Sequence, residues 1–134
     1  MSGVYVIGEL LRADANLLAV VPPGRIKAGA LSENVQIPAI AVTQISGVDR
    51  NILSQGETRR VAERVQVTVL ASNYRQRRTL IQLVRRACAD KRGDFAGETD
   101  VVVLTDGTGP DFLSDDSAIW MQAQDFSVSY NELA

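Results

Sequence analysis

The side chains able to do chemistry in this sequence are few, and most belong to two groups of opposite charge. Asp106, Asp111, Asp115 and Asp116 crowd one stretch late in the chain, and carboxylates at that density could hold a hard cation such as calcium. Their spacing fits no EF-hand loop and no closing glutamate follows, so a solvated loop is the expectation. Gly107-Thr108-Gly109-Pro110-Asp111 has the glycines of a phosphate loop but lacks the Lys-Ser/Thr ending and a helix start behind it, and reads as a plain turn. Arg75, Arg78, Arg85 and Arg86 could meet phosphates or carboxylates. They are not interleaved with aromatics and the chain carries a net charge of −2, so direct nucleic-acid recognition is not expected. There is no histidine, and Cys88 is the only cysteine. That removes the commonest general base and every paired-cysteine zinc site. Serines and threonines have no base beside them, and no carboxylate pair stands in a recognisable arrangement with a nucleophile. The expectation is therefore no catalysis, no cofactor and no transition metal.

These residues need elements to position them. A chain of 134 residues, 46% of them hydrophobic, suits a single domain over 1–134 with one core and no staple. No repeat or low-complexity stretch interrupts it. No apolar run approaches about 18 residues and Met1-Ser2-Gly3 lacks a basic start, so neither membrane spanning nor secretion is indicated. A lone cysteine fits a reducing cytoplasm. Val4 to Leu18 has helical spacing, with a break near Arg12 and Asp14 as an N-cap, and Val21-Pro22-Pro23-Gly24 ends it. Pro38 to Ser46 and Val61 to Ala71 read as strands, the second alternating Val65, Val67 and Val69 with Arg64, Gln66 and Thr68. Gly47 to Arg60 between them is polar, long for a hairpin, and expected to be a mobile loop.

Tyr74 to Asp90 is an amphipathic helix, with Leu80, Leu83, Val84, Ala87 and Cys88 inward and the four arginines outward; Gly93 is placed to stop it. Thr99 to Thr105 is a short strand. Ala118 to Tyr130 is the last, and its apolar phase slips from Ile119, Met121 and Ala123 to Phe126, Val128 and Tyr130, which predicts a bulge near Ala123–Asp125. The order α-β-β-α-β-β predicts an α+β fold: a four-stranded, mainly antiparallel sheet with two helices packed on one face. The other face, with Arg64, Gln66 and Thr68, would meet solvent or a neighbour.

Charge is unevenly spread. Residues 59–92 hold ten Lys or Arg against Glu63 and Asp90, a balance of +8, whereas residues 93–134 hold nine acids and no Lys or Arg. A globule with a plus face and a minus face is suited to head-to-tail self-association, the kind of contact that closes into rings. The candidate interface residues are Asp49, Arg50, Arg59, Arg60, Arg75, Arg78, Arg85, Arg86, Asp111, Asp115 and Asp116.

Four segments resemble the tail-completion proteins of long-tailed bacteriophages, relatives of the tail-terminator rings. They are Leu17-Leu18-Ala19-Val20-Val21 running into Gly24-Arg25-Ile26; the Ile37-Pro38-Ala39-Ile40-Ala41-Val42 strand ending at Ser46-Gly47; Val65 to Val69 followed by Asn73-Tyr74 and the Leu80-x-x-x-Val84-Arg85-x-Ala87 helix; and the closing Asp125-Phe126-Ser127-Val128. One departure is Lys27-Ala28-Gly29, where the family often carries an aromatic after the Arg-Ile pair. The resemblance implies a non-enzymatic virion component of the neck or tail, assembled in the host cytoplasm as a homo-oligomeric ring, usually a hexamer. Such a ring caps the tail-tube protein, faces the head–tail connector or adaptor, and lets DNA pass its lumen without reading sequence. A globule of this length has a radius of gyration of roughly 14 Å, and six of them in a planar ring leave an opening about one globule wide. The alternatives are a head–tail stopper or adaptor subunit, and a small-molecule-binding α+β domain, which would need a concave pocket with convergent polar groups.

Overall fold

Asp14 stands between two helices and holds the second in place. In the structure, a computed structural model describing residues 2–29, 36–50, 58–114 and 118–133, helix α1 spans Ser2–Arg12 and the single turn α2 spans Ala15–Leu18. The Asp14 carboxyl accepts a hydrogen bond from the Leu17 amide at 3.0 Å, the N-cap expected there. Pro22 and Pro23 then turn the chain through a 3-10 step at Pro23–Arg25. The elements that follow are β1 (Ile26–Ala28), β2 (Ala39–Arg50), β3 (Thr58–Ala71), α3 (Tyr74–Cys88), β4 (Lys91–Phe95), β5 (Glu98–Thr108), β6 (Phe112–Leu113) and β7 (Trp120–Leu133).

These strands form one curled, mixed, seven-stranded sheet in the order β1-β2-β3-β7-β5-β4, with β6 joined to β7. Among the described residues only β1 pairs in parallel, with β2. The expected four-stranded sheet with two helices is therefore wrong, and the reasons are local. Ile26-Lys27-Ala28 and Phe112-Leu113 are too short to show a period. Gly93 looks like a helix stop but lies inside β4, because α3 ends at Cys88 and Asp90, at φ 56°, turns the chain straight into that strand. Polar Gly47–Arg50 and Thr58–Arg60, read as part of a connector, are paired strand with Arg50 opposite Arg60. The link between β2 and β3 is residues 51–57, which lie outside the described residues.

The last strand also differs from expectation. β7 pairs β3 in one unbroken register from Thr58 opposite Leu133 to Ala71 opposite Trp120, with no bulge at Ala123–Asp125. The irregularities are on β5 instead, between Thr99 and Val102 and, opposite Asp125 and Phe126, between Thr105 and Gly107. The apparent phase slip arises because Gln124 shares the inner face of β7 with Phe126, Val128 and Tyr130, buried to 1% exposure. Its amide donates to the Gly107 carbonyl at 2.9 Å and the Asp125 carbonyl at 3.0 Å, so a polar residue occupies a core position without an unmet bond.

The inner face carries Ile40, Val42, Val65, Val67, Val69, Val101 and Val103, and onto it pack Val6, Ile7 and Leu11 of α1 and Leu80, Val84 and Cys88 of α3. A carboxylate also sits against this core. Glu63 on β3 is 3% exposed, accepts the Gly3 amide of α1 at 3.2 Å, and accepts the Tyr130 hydroxyl of β7. A helix start leaves amides unsatisfied and partly positive, and this carboxyl meets them from 60 residues away. The approach needs glycine: a Cβ on Gly3 would lie 2.7 Å from Glu63 Oε2 and 3.0 Å from Val65 Cγ2.

Glu63→Ala should accordingly destabilise the subunit by about 2–4 kcal/mol, and Tyr130→Phe by about 1–2 kcal/mol. Gly3→Ala should fall in the same direction through the clash. Urea unfolding at neutral pH measures all three, and a Glu63→Ala loss below about 0.5 kcal/mol, the level of an ordinary surface change, would show the bond to α1 to be incidental.

Candidate functional site

Helix α3 presents the cationic surface of the molecule, and its start is firmly defined. Asn73, in extended backbone, caps it by accepting the Gln76 amide at 2.8 Å, and Gln76 reaches back to accept the Ser72 amide at 2.8 Å. With Leu80, Val84 and Cys88 committed to the core, Arg75, Arg78, Arg85 and Arg86 fall on the exposed side. No acid occurs anywhere in Tyr74–Cys88 to offset them. Arg85 and Arg86 lie in the last turn, where the helix dipole favours cations. Arg78, Arg85 and Arg86, with Gln82, Ile81 and Arg77, line an open groove of about 430 Å³. Among the described residues none of Arg75, Arg78, Arg85 and Arg86 forms an ion pair. The polar contact that does appear is Arg85 Nη1 to Thr108 Oγ1 at 3.4 Å.

Arg77 is the functional-looking residue that sequence reasoning missed. It is 5% exposed, with Nη2 3.3 Å from Asp111 Oδ2, Nη1 donating to Gln122 Oε1, and the guanidinium carbon 4.4 Å from the Tyr74 ring centroid. Tyr74 donates its hydroxyl to the same Asp111 oxygen at 2.9 Å and stands edge-on to Trp120, centroids 5.0 Å apart. Gln122 in turn donates to the Gly109 carbonyl at 2.8 Å. The Gly107–Asp111 segment is thus fastened to α3 and β7 by arginine and glutamine side chains that occupy its carbonyls and its carboxylate. Arg77 sat among five arginines with nothing in its type to mark it; the signal was its position, four before Ile81 and seven before Val84 on the buried stripe.

The other candidates do not gather at one place. Arg60 lies on the outer sheet face, donating to the Asp100 carbonyl at 2.7 Å, Asn131 Oδ1 at 3.1 Å and Ser129 Oγ at 3.2 Å. Arg64 holds Asp125 at 2.8 Å and Asp106 at 3.6 Å on that same face. Asp111 belongs to the Arg77 cluster. Asp49, Arg50 and Arg59 are placed by backbone only, on β2 and β3. Asp115 and Asp116 lie outside the described residues. Part of the charge split is therefore neutralised inside the chain, by the more exposed pairs of Arg60 and Arg64, which contribute little to stability individually, and by the buried Arg77 with Asp111.

A second open groove, of about 470 Å³, lies where β1 ends beside β2, lined largely by apolar atoms of Val4, Tyr5, Ala28 and Val42. Neither groove brings a base to a nucleophile. Among the described residues no group of three His, Cys, Asp or Glu could hold a metal ion, and no helix is long and apolar enough to cross a membrane.

Comparison with known proteins places this arrangement. A family model described as "Tail completion protein gp17" matches residues 6–126. No curated protein matches the chain. Among solved structures, a chain from the virion of a native gene transfer agent (GTA) particle has the same fold: TM-score 0.71 at 12% identity, with 96% of this chain and 94% of that chain aligned.

Cys88 gives a pH test of the core beneath α3. Burial pushes its thiol from the ordinary 9.0 up to about 12, with Asp14 adding to the rise and Lys91 opposing it. The unfolded thiol ionises first, so this contribution to stability is whole below pH 9 and is lost as pH rises from 9 toward 12. Native protein at pH 8 should resist thiol reagents and react fully in denaturant, and Cys88→Ala should flatten the alkaline fall in stability. Rapid labelling of the native protein would contradict the burial.

Proposed function

Since the chain belongs to the tail completion protein gp17 family, we propose that it forms the ring which closes the end of a phage tail tube and joins it to the head connector. The coarser part follows from the family: this is a structural protein of the phage tail and a component of the virion. In the finer reading six subunits assemble in the host cytoplasm, the tube protein lies on one side and the connector on the other, and DNA crosses the lumen unread. No reaction is catalysed. The observation that carries this reading is the exposed arginine face of α3, whose charges have no ion-pair partner among the described residues. Cations left unpaired along one helix, on a chain rich in acids elsewhere, suit a subunit completed by its neighbours.

Native mass measurement and negative-stain imaging of the purified chain should show a closed ring, expected to hold six copies. Particles made without this gene should accumulate filled heads and separate tubes, and adding the purified protein to such an extract should join them. A chain that stays monomeric at every concentration, and whose loss leaves heads and tails joined, would rule the proposal out.

A further inference from the structure

Two surfaces of this chain are complementary and yet unable to meet within it. One is the arginine groove of α3, floored by Ile81 and Arg77 and rimmed by Arg78, Gln82, Arg85 and Arg86. The other is the β4–β5 hairpin tip. There Ala96 (φ 52°) and Gly97 (φ 79°) make a two-residue turn between Phe95 and Glu98, with Asp94, Glu98 and Asp100 flanking it. Left-handed backbone at both turn positions matches the twist of a hairpin, and the Ala96 amide donates to Glu9 of α1, so the tip is held in one place. The Asp94 carboxyl accepts the Asp100 amide at 3.0 Å, which holds Asp94 across the base of the turn.

Their separation follows from β7. The hairpin meets that strand at Thr99 opposite Asn131, whereas Arg77 meets it at Gln122. Nine residues of strand span about 30 Å. The same surfaces on two copies can touch, and because one is a groove and the other a tip the contact is heterologous, the type that propagates around a ring. Resting on the ring reading above, we propose that the α3 groove of each subunit receives the acidic β4–β5 hairpin tip of the next copy.

Asp106 and Asp111, the more obvious acidic partners, are already committed to Arg64 and Arg77. Asp100 is paired only at 3.9 Å with Arg60 and its side chain is 65% exposed, so it remains accessible. Cation excess persists in the groove: Arg77 directs Nη1 and Nη2 to Gln122 and Asp111, and among the described residues its Nε has no acceptor. A carboxylate-bearing tip, narrow enough to enter between Arg78 and Arg86 about 12 Å apart along the helix, answers that excess better than a duplex, whose backbone would also meet the nearby acids.

The test uses two variants of the full chain. Arg78→Glu with Arg86→Glu gives a copy whose groove repels its own kind of hairpin, and Asp94→Lys with Glu98→Lys gives the converse copy. At low salt each alone should associate at least about tenfold more weakly than the wild type, and an equimolar mixture should return to within about threefold, as alternating subunits of an even-numbered ring. If rings form normally from the arginine-reversed copy, or if two folded but impaired variants do not rescue each other, the groove does not take the hairpin although the ring itself stands. Should the hairpin variant fail to fold, Asp94→Cys with Gln82→Cys in a Cys88→Ala chain decides the matter. Mild oxidation of assembled rings or tails should link neighbouring subunits into a ladder, and its absence overturns the assignment. Salt-sensitive binding of duplex DNA that is lost in the arginine-reversed copy, without rescue on mixing, would assign the groove to nucleic acid instead. Failure of the wild type to form rings or complete tails would sink the ring reading, not this contact alone.

Discussion

β3 and β7 each run 14 residues and face each other residue for residue over their whole length. A pairing of that length admits no slip, because moving one residue would turn every buried side chain to the other face. From it the remaining parts take their positions. β2 and β5 attach on either side, the Tyr130 hydroxyl comes within reach of Glu63, and α1 docks where the Glu63 carboxyl can accept the amide of Gly3. At the far end of the same pairing Ala71 lies opposite Trp120, and the chain leaves β3 into the cap of α3. Tyr74 then reaches Trp120 at once, and the Arg77 cluster closes over the loop that brings the chain back to β7.

Legibility in the sequence tracked how far each segment's burial was written in residue type. Val65, Val67 and Val69 alternate with polar residues and announce an inner face, and Leu80, Val84 and Cys88 announce the inner stripe of α3. Asp14 and Asn73 are caps by type as well as by geometry. What was illegible is polar residues doing core work. Gln124 looks like an outward residue and points inward because the Gly107 carbonyl, distant in sequence, is there to receive it. Glu63 looks like a solvated acid on a strand and lies buried because a helix start and a tyrosine converge on it. Neither partner can be found by a local period, and β1, β4 and β6 are likewise strands only because a neighbour offers an edge.

The charge pattern shows the same division. Its sum over segments was visible, but segment sums do not tell which charges are settled in place. Arg60, Arg64 and Arg77 find acids or carbonyls in their own chain, on two different faces of the sheet. Among the described residues the outward arginines of α3, Arg75, Arg78, Arg85 and Arg86, do not, and the family, which is structural and belongs to the tail, supplies the context in which such a helix makes sense. Of the acidic set Asp106, Asp111, Asp115 and Asp116 read from sequence, Asp106 and Asp111 are partners of Arg64 and Arg77 within the chain.

The irregularity between Gln44 and Ser46 has a bearing on what happens to a subunit before it is incorporated. Among the described residues β1 covers β2 only from Ile40 to Val42, so the strand beyond is a long border of backbone donors and acceptors. A straight border of that kind recruits any extended chain, which for a protein made in many copies means amorphous precipitation. The extra residue, Ile45, breaks the repeat of that border near its midpoint, an irregularity of the kind that makes an edge a poor template for a flat strand. Growth by backbone pairing is thereby disfavoured, which leaves assembly to contacts that side chains can specify.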